Sequence, residues 1–87
     1  MKKDKICIVG LGYVGLPLAS LFATKYSVIG FDINNQRILE LMSGIDSTLE
    51  VENETLKSLL VKSKSEKKGL YCNNLIDEIE DCNYYII

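Results

Sequence analysis

The sequence predicts an α/β fold, a parallel sheet with helices on both faces, and three observations carry that prediction. Short runs rich in β-branched residues alternate along the chain with stretches of helical apolar spacing. The runs lack polar alternation, as strands buried on both faces do. Glycines stand where the first run meets the first helical stretch, at Gly10, Gly12 and Gly15. Right-handed crossovers then give the sheet order 3-2-1-4 and the element order βαβααβαβ.

Lys5 to Val9, with Ile6, Ile8 and Val9, reads as the first strand. From Tyr13 to Lys25, Val14, Leu18, Leu21 and Phe22 recur at helical spacing, with Ala19, Ser20 and Ala23 among them, so a helix packs closely on something flat. Pro17 is acceptable only near a helix start, which places that start close to Gly15. Ser27 to Phe31 is the second strand, ending at Asp32. Asn34 caps the next helix, whose inward face is Ile38, Leu41 and Met42 and whose stop is Gly44. Residues 45–53 read as a connection. Leu56, Leu59 and Leu60 mark a helix from about Glu54 to Lys62, and a charged turn over 62–69 leads to a third strand, Leu70 to Cys72. Asn74 is a cap for a short helix carrying Leu75, Ile76 and Ile79 inward, and Asn83 to Ile87 is the fourth strand.

At 87 residues, with 47% hydrophobic and 25% charged residues, the chain is one small domain. A net charge of -2 gives no general attraction to nucleic acid or anionic membranes, and no apolar stretch approaches the length of a membrane span. Three cysteines without a CxxC pair argue against a disulfide framework, and the absence of histidine makes a zinc site or histidine-based catalysis unexpected. A cytoplasmic location is expected. The terminal run Asn83 to Ile87 is apolar, so the chain reads as the N-terminal part of a longer protein, and its fourth strand as an edge open to self-association.

Gly10-Leu11-Gly12-Tyr13-Val14-Gly15 forms GxGxxG between a strand and a helix, with Asp32 22 residues after Gly10 at the end of the second strand. That context fits a dinucleotide-binding turn of Rossmann type. Gly10 allows the tight turn, Gly12 admits a pyrophosphate to the backbone, and Gly15 lets the helix pack against the strand. Asp32 is placed to hold a ribose 2′-hydroxyl and to repel a 2′-phosphate, which favours NAD over NADP. Arg37, five residues further on, fits three readings: a cation over the adenine face, a surface arginine at a helix start, or a partner for a 2′-phosphate. By motif alone, a nucleotide-sensing module or a flavin- or methyl-donor-binding domain shares this turn.

"KICIVGLGYVGLPLA" followed by "VIGFDINNQRI" resembles the N-terminal domain of the UDP-glucose/GDP-mannose dehydrogenase family, the nucleotide-sugar 6-dehydrogenases. "GIDSTLEVE" and "CNYYII" look most like the branch acting on UDP-N-acetylhexosamines. Ser47 stands where many relatives have proline, which weakens the UDP-glucose branch. The resemblance implies that residues Gly10 to Gly15 wrap the NAD pyrophosphate, Asp32 binds the adenosine ribose and Arg37 lies against the adenine. It further implies an enzyme that oxidises a UDP-sugar at C6 in two NAD-dependent hydride transfers, through a thiohemiacetal on a cysteine of a later domain. The products are uronic acids for capsule or O-antigen polysaccharides. Cys7, Cys72 and Cys82 do not match that cysteine, so this chain alone is expected to be inactive.

Three further groups of residues read as ordinary surface or packing. The lysines at 57, 62, 64, 67 and 68 form a solvated helix end, and the carboxylates Asp77, Glu78, Glu80 and Asp81 an exposed face without metal-site spacing. Tyr84 and Tyr85 alternate across a strand and read as sheet packing.

Overall fold

The computed structural model describes residues 5–61, 68–75, 79, 82 and 84–87. Its elements run β1 (Lys5–Val9), α1 (Gly15–Ala23), β2 (Ser27–Phe31), α2 (Asn35–Met42), α3 (Asn53–Leu59), β3 (Gly69–Asn73) and β4 (Tyr84–Ile86). The four strands form one parallel sheet in the order β3-β2-β1-β4. Val9 pairs with Phe31 and Phe31 with Asn73, so the residues that follow, Gly10, Asp32 and Asn74, emerge together at the carboxyl edge. Among the described residues no helix is long and apolar enough to cross a membrane.

Alternation along each strand divides the sheet into two faces. Ile6, Ile8, Val28, Leu70 and Cys72 point to one face and meet Leu16, Ala19 and Ala23 of α1, Ile38 and Leu41 of α2 and Leu56 of α3 in a single core. All three described helices therefore lie on that face. Cys7 and Ile29, also buried, point to the other. The short helix expected after Asn74 falls largely outside the described residues. From its stretch, the Ile79 carbonyl accepts the Tyr85 hydroxyl, and the Cys82 thiol lies beside Cys7.

The expected boundaries need several corrections. The inner face of α1 is Leu16, Ala19, Ser20 and Ala23, while Val14 and Leu21 are exposed. The small residues are what let the helix approach the sheet, so the larger apolar ones are left on its flank. Helix α3 ends at Leu59 rather than near Lys62, because Leu60 bridges to Leu70 and the Val61 N–H bonds to the Leu70 carbonyl. An extended strand extension replaces the last helical turn. β3 is longer at both ends than Leu70 to Cys72. Leu75, expected inward, is 59% exposed, because its N–H donates to the Asn73 side chain in a turn directly after β3. Tyr84 and Tyr85 are 54% and 47% exposed, since β4 is an edge strand with a neighbour on one side only among the described residues. The carboxylates at 77, 78, 80 and 81 and most of the lysine-rich turn lie outside the described residues.

Candidate functional site

The chain moves outward from β1 through β2 to β3 and then returns to the other side of β1 as β4. The strand order thus reverses between β1 and β4, and a ligand crevice is expected outside the carboxyl ends of those two strands. A cleft of about 320 Å³ lies there, lined by Gly10, Gly12, Val14, Gly15, Leu18 and Ile86 among others.

Each glycine of the turn has a distinct geometry. Gly10 has φ +94°, a conformation that residues with a Cβ rarely adopt, and its N–H donates to the Phe31 carbonyl at 2.8 Å. A Cβ on Gly15 would stand 1.7 Å from the Gly10 carbonyl oxygen. The close approach expected there between helix and strand is therefore chiefly an approach of the helix to the turn itself, with Ile8 of β1 further away at 3.5 Å. A Cβ on Gly12 would meet nothing within 4 Å. The backbone at Gly12 therefore borders open space on the cleft side, which is the room a pyrophosphate needs. No side chain caps α1; in its first turn the Leu16 N–H donates to the Gly12 carbonyl at 3.2 Å and the Leu18 N–H to the Val14 carbonyl at 3.3 Å, and Pro17 carries no N–H.

Asp32 closes the other side of the turn. Its Oδ2 accepts the Leu11 N–H at 2.9 Å and its Oδ1 the Asn34 N–H at 2.9 Å. Each carboxylate oxygen keeps a further lone pair, so these bonds aim the group and leave capacity for a ribose hydroxyl. Asn34 caps α2 as expected, accepting from the Gln36 and Arg37 N–H groups.

The remaining expected site residues separate into two groups. Tyr13 and Val14 are exposed on the rim of the turn. Leu11 lies beneath it, its side chain fully buried and directly over Gly30, with its N–H and C=O both bonded within the protein. Its backbone groups are thus engaged in holding the turn. The reading of Arg37 as a surface arginine is corrected by the structure, where the side chain is 10% exposed. Its Nε donates to the Leu11 carbonyl at 2.7 Å, and its Nη1 pairs with Glu40 at 2.9 Å and with Asp46 at 3.0 Å. Nη2 is buried and meets no acceptor among the described residues.

Asp46, which lies in the stretch 45–53 expected as a plain connection, has a carboxylate with no exposed surface. It accepts from the Thr48 hydroxyl and N–H, the Glu50 N–H, the Val51 N–H and Arg37. Burial pushes its carboxyl up, but the bonds from Thr48, Val51 and Arg37 outweigh burial and hold it at about 2. The signal available in the sequence was Asp-Ser-Thr after a helix-ending glycine, a pattern for a side chain that bonds its own downstream backbone. Burial drives the thiols of Cys7 and Cys72 up to about 12, and Cys82 adds to the shift at Cys7. Neither is a nucleophile at neutral pH.

A parallel sheet with a reversal point, a glycine turn open at Gly12 and an acid at the end of β2 together define a dinucleotide-binding domain of Rossmann type. The match in sequence is more particular. Residues 4–87 match the UDP-glucose/GDP-mannose dehydrogenase family, NAD binding domain, and the chain belongs to that family. It is 47% identical over 83 residues to UDP-N-acetyl-D-glucosamine 6-dehydrogenase of Salmonella typhi, covering 95% of this chain and 18% of that protein. Over 87 residues it is 47% identical to the enzyme of the same name from Pseudomonas aeruginosa, covering 100% of this chain and 19% of that one. The solved structure of the UDP-D-ManNAc dehydrogenase of Pyrococcus horikoshii superimposes with a TM-score of 0.80 at 32% identity, over 93% of this chain and 19% of its own. The chain thus spans just under a fifth of the length of these relatives.

Proposed function

We propose that residues 1–87 form the first half of the NAD-binding domain of a longer nucleotide-sugar 6-dehydrogenase, and that they hold the adenosine and pyrophosphate of the cofactor. The observation that carries this reading is the turn itself: backbone open to the cleft at Gly12, with the Asp32 carboxylate fixed at its far side. In this reading Gly10, Gly12, Tyr13, Val14 and Gly15 surround the pyrophosphate, Asp32 takes the ribose hydroxyls, and the edge of Arg37 that remains exposed borders the adenine. NAD supplies hydride acceptance when bound; these residues bind and orient it. The hydrogen-bonding groups of Arg37 that have acceptors are engaged with Leu11, Glu40 and Asp46, which leaves Asp32 to repel a 2′-phosphate unopposed.

The substrate of the longer enzyme is a UDP-N-acetylhexosamine, oxidised at C6 to its uronic acid for surface polysaccharide synthesis such as capsule. The names of the relatives support the sugar, and the family resemblance supports its destination. The reactive cysteine belongs to another part of the enzyme, in keeping with the buried, high-pKa thiols of Cys7 and Cys72. Three cysteines, none of them in a disulfide, support a cytoplasmic location. The half-exposed tyrosines at the open edge of β4 support self-association of this chain, which sedimentation at high micromolar concentration tests; a monomer there counts against it.

Calorimetric titration with ADP-ribose and with its 2′-phosphorylated form tests the cofactor reading. ADP-ribose is expected to bind more tightly than the phosphorylated ligand, and Asp32→Asn to abolish the difference. A folded chain that binds neither ligand overturns the reading.

A further inference from the structure

Glycines at Gly10 and Gly12 give the phosphate-facing turn its shape, and they also leave it with more backbone freedom than any other residues would. A turn that must receive a pyrophosphate binds best when it is already held in shape. The only residue between those two glycines is Leu11, and its peptide groups are held from two directions. Its N–H is fixed by Asp32 at 2.9 Å, and its carbonyl by Arg37 Nε at 2.7 Å. Arg37 has four rotatable side-chain bonds and reaches Leu11 across 26 residues of sequence, so something must hold the guanidinium in place. Glu40 does so from the same helix. Asp46 does so from a different segment, the α2–α3 connection, with a carboxylate that four donors from Thr48, Glu50 and Val51 immobilise.

From this chain of contacts we infer that Asp46 is a positioning residue of the dinucleotide site: through Arg37 it holds the Leu11 carbonyl, and with it the orientation of the Gly12 backbone. The inference rests on the cofactor reading above for its purpose, but the positioning itself is measurable on the turn without a ligand. Asp46 touches no cofactor atom. Its effect reaches the site only along the Arg37 side chain, which joins the α2–α3 connection to the turn.

Amide spectra and hydrogen exchange of the 87-residue chain test it, with Leu56→Val as a comparator that loosens the core away from the site. Asp46→Asn is expected to shift the Leu11 and Gly12 amide signals, to speed exchange at the Leu11 N–H, and to weaken ADP-ribose by about tenfold. Leu56→Val is expected to lower the melting temperature while leaving those signals in place. Added to Arg37→Ala, Asp46→Asn should change affinity no further, since the path it acts through is gone. If Asp46→Asn behaves like Leu56→Val, with loop signals and affinity as in the wild type, the inference is overturned. Should Asp46→Asn not fold, Arg37→Lys carries the test: it keeps a charge beside Asp46 but removes the Nε donor, and unmoved Leu11 and Gly12 signals overturn the inference equally. A wild type that binds no ADP-ribose removes the cofactor reading, while the loop signals still decide whether Asp46 positions the turn.

Discussion

The turn from Gly10 to Gly15 and the connection from Ile45 to Val51 solve the same problem in opposite ways. Both carry the chain between packed elements without regular hydrogen bonding. The first does it by omission: Gly10 takes a φ that residues with a Cβ rarely adopt, Gly15 lacks the Cβ that would clash with the Gly10 carbonyl, and the backbone at Gly12 stays open to a ligand. The second does it with one side chain, since the Asp46 carboxylate takes up the partly buried Thr48 and Glu50 N–H groups and the buried Val51 N–H. It even supports Leu49, at φ 61°, in a conformation residues with side chains rarely adopt. A binding turn must leave donors unsatisfied, whereas a structural one must satisfy its own.

That contrast predicts a ranking of substitutions. The largest loss is expected from Asp46→Ala, which leaves the buried Arg37 with Glu40 as its remaining carboxylate and strands the donors of Thr48, Glu50 and Val51, and should cost about 3–5 kcal/mol, read by urea unfolding. Next comes Gly15→Ala, whose methyl group would overlap the Gly10 carbonyl, at roughly 3 kcal/mol. Gly12→Ala is the sharpest contrast, for the same methyl meets open space. It should cost no more than about 1 kcal/mol of stability yet weaken ADP-ribose binding tenfold or more, measured by calorimetry. Equal stability losses for the two glycine variants would break the comparison.

Acid should separate the regions as well. Asp46 has a folded pKa of about 2, below the 3.8 of a free aspartate, so its contribution is complete above about pH 4 and is lost as pH falls through 2. The loss is on the order of 2 kcal/mol. Glu40, held low chiefly by the Ser47 N–H, acts in the same direction. Unfolding at pH 6 and at pH 2.5 checks this, with Asp46→Asn expected to flatten the difference. The smallest effect is Leu49→Gly, which relieves the backbone of an exposed residue and should stabilise the chain by about 0.5 kcal/mol, visible as a small rise in melting temperature. A loss instead would mean that the Leu49 side chain has a role of its own.

Much of the fold was legible because periodicity reports burial. β1 and β2 occupy the residues their β-branched runs mark out, and α2 runs from the Asn34 cap to a stop before Gly44. Periodicity failed where size rather than polarity decided the packing, as in α1, and where a neighbouring strand competed for the chain, as at Leu60. Leu75 departs from its apolar spacing because its N–H donates to the Asn73 side chain, a local bond that outweighs periodicity.

By itself the sequence determined the order of the described strands and of α1 to α3, the place of the glycine turn and the acid at the end of β2, all of which depend on residues close together along the chain. Only the tertiary structure decided that Leu11 is a buried pivot, that Arg37 is nearly enclosed, and that Asp46 is its partner. The physical reason is that a hydrogen-bonding side chain carries no periodic signature. Which donors an aspartate or an arginine meets depends on the path of segments 9 and 26 residues away, and that path exists only once the sheet and helices have closed around it.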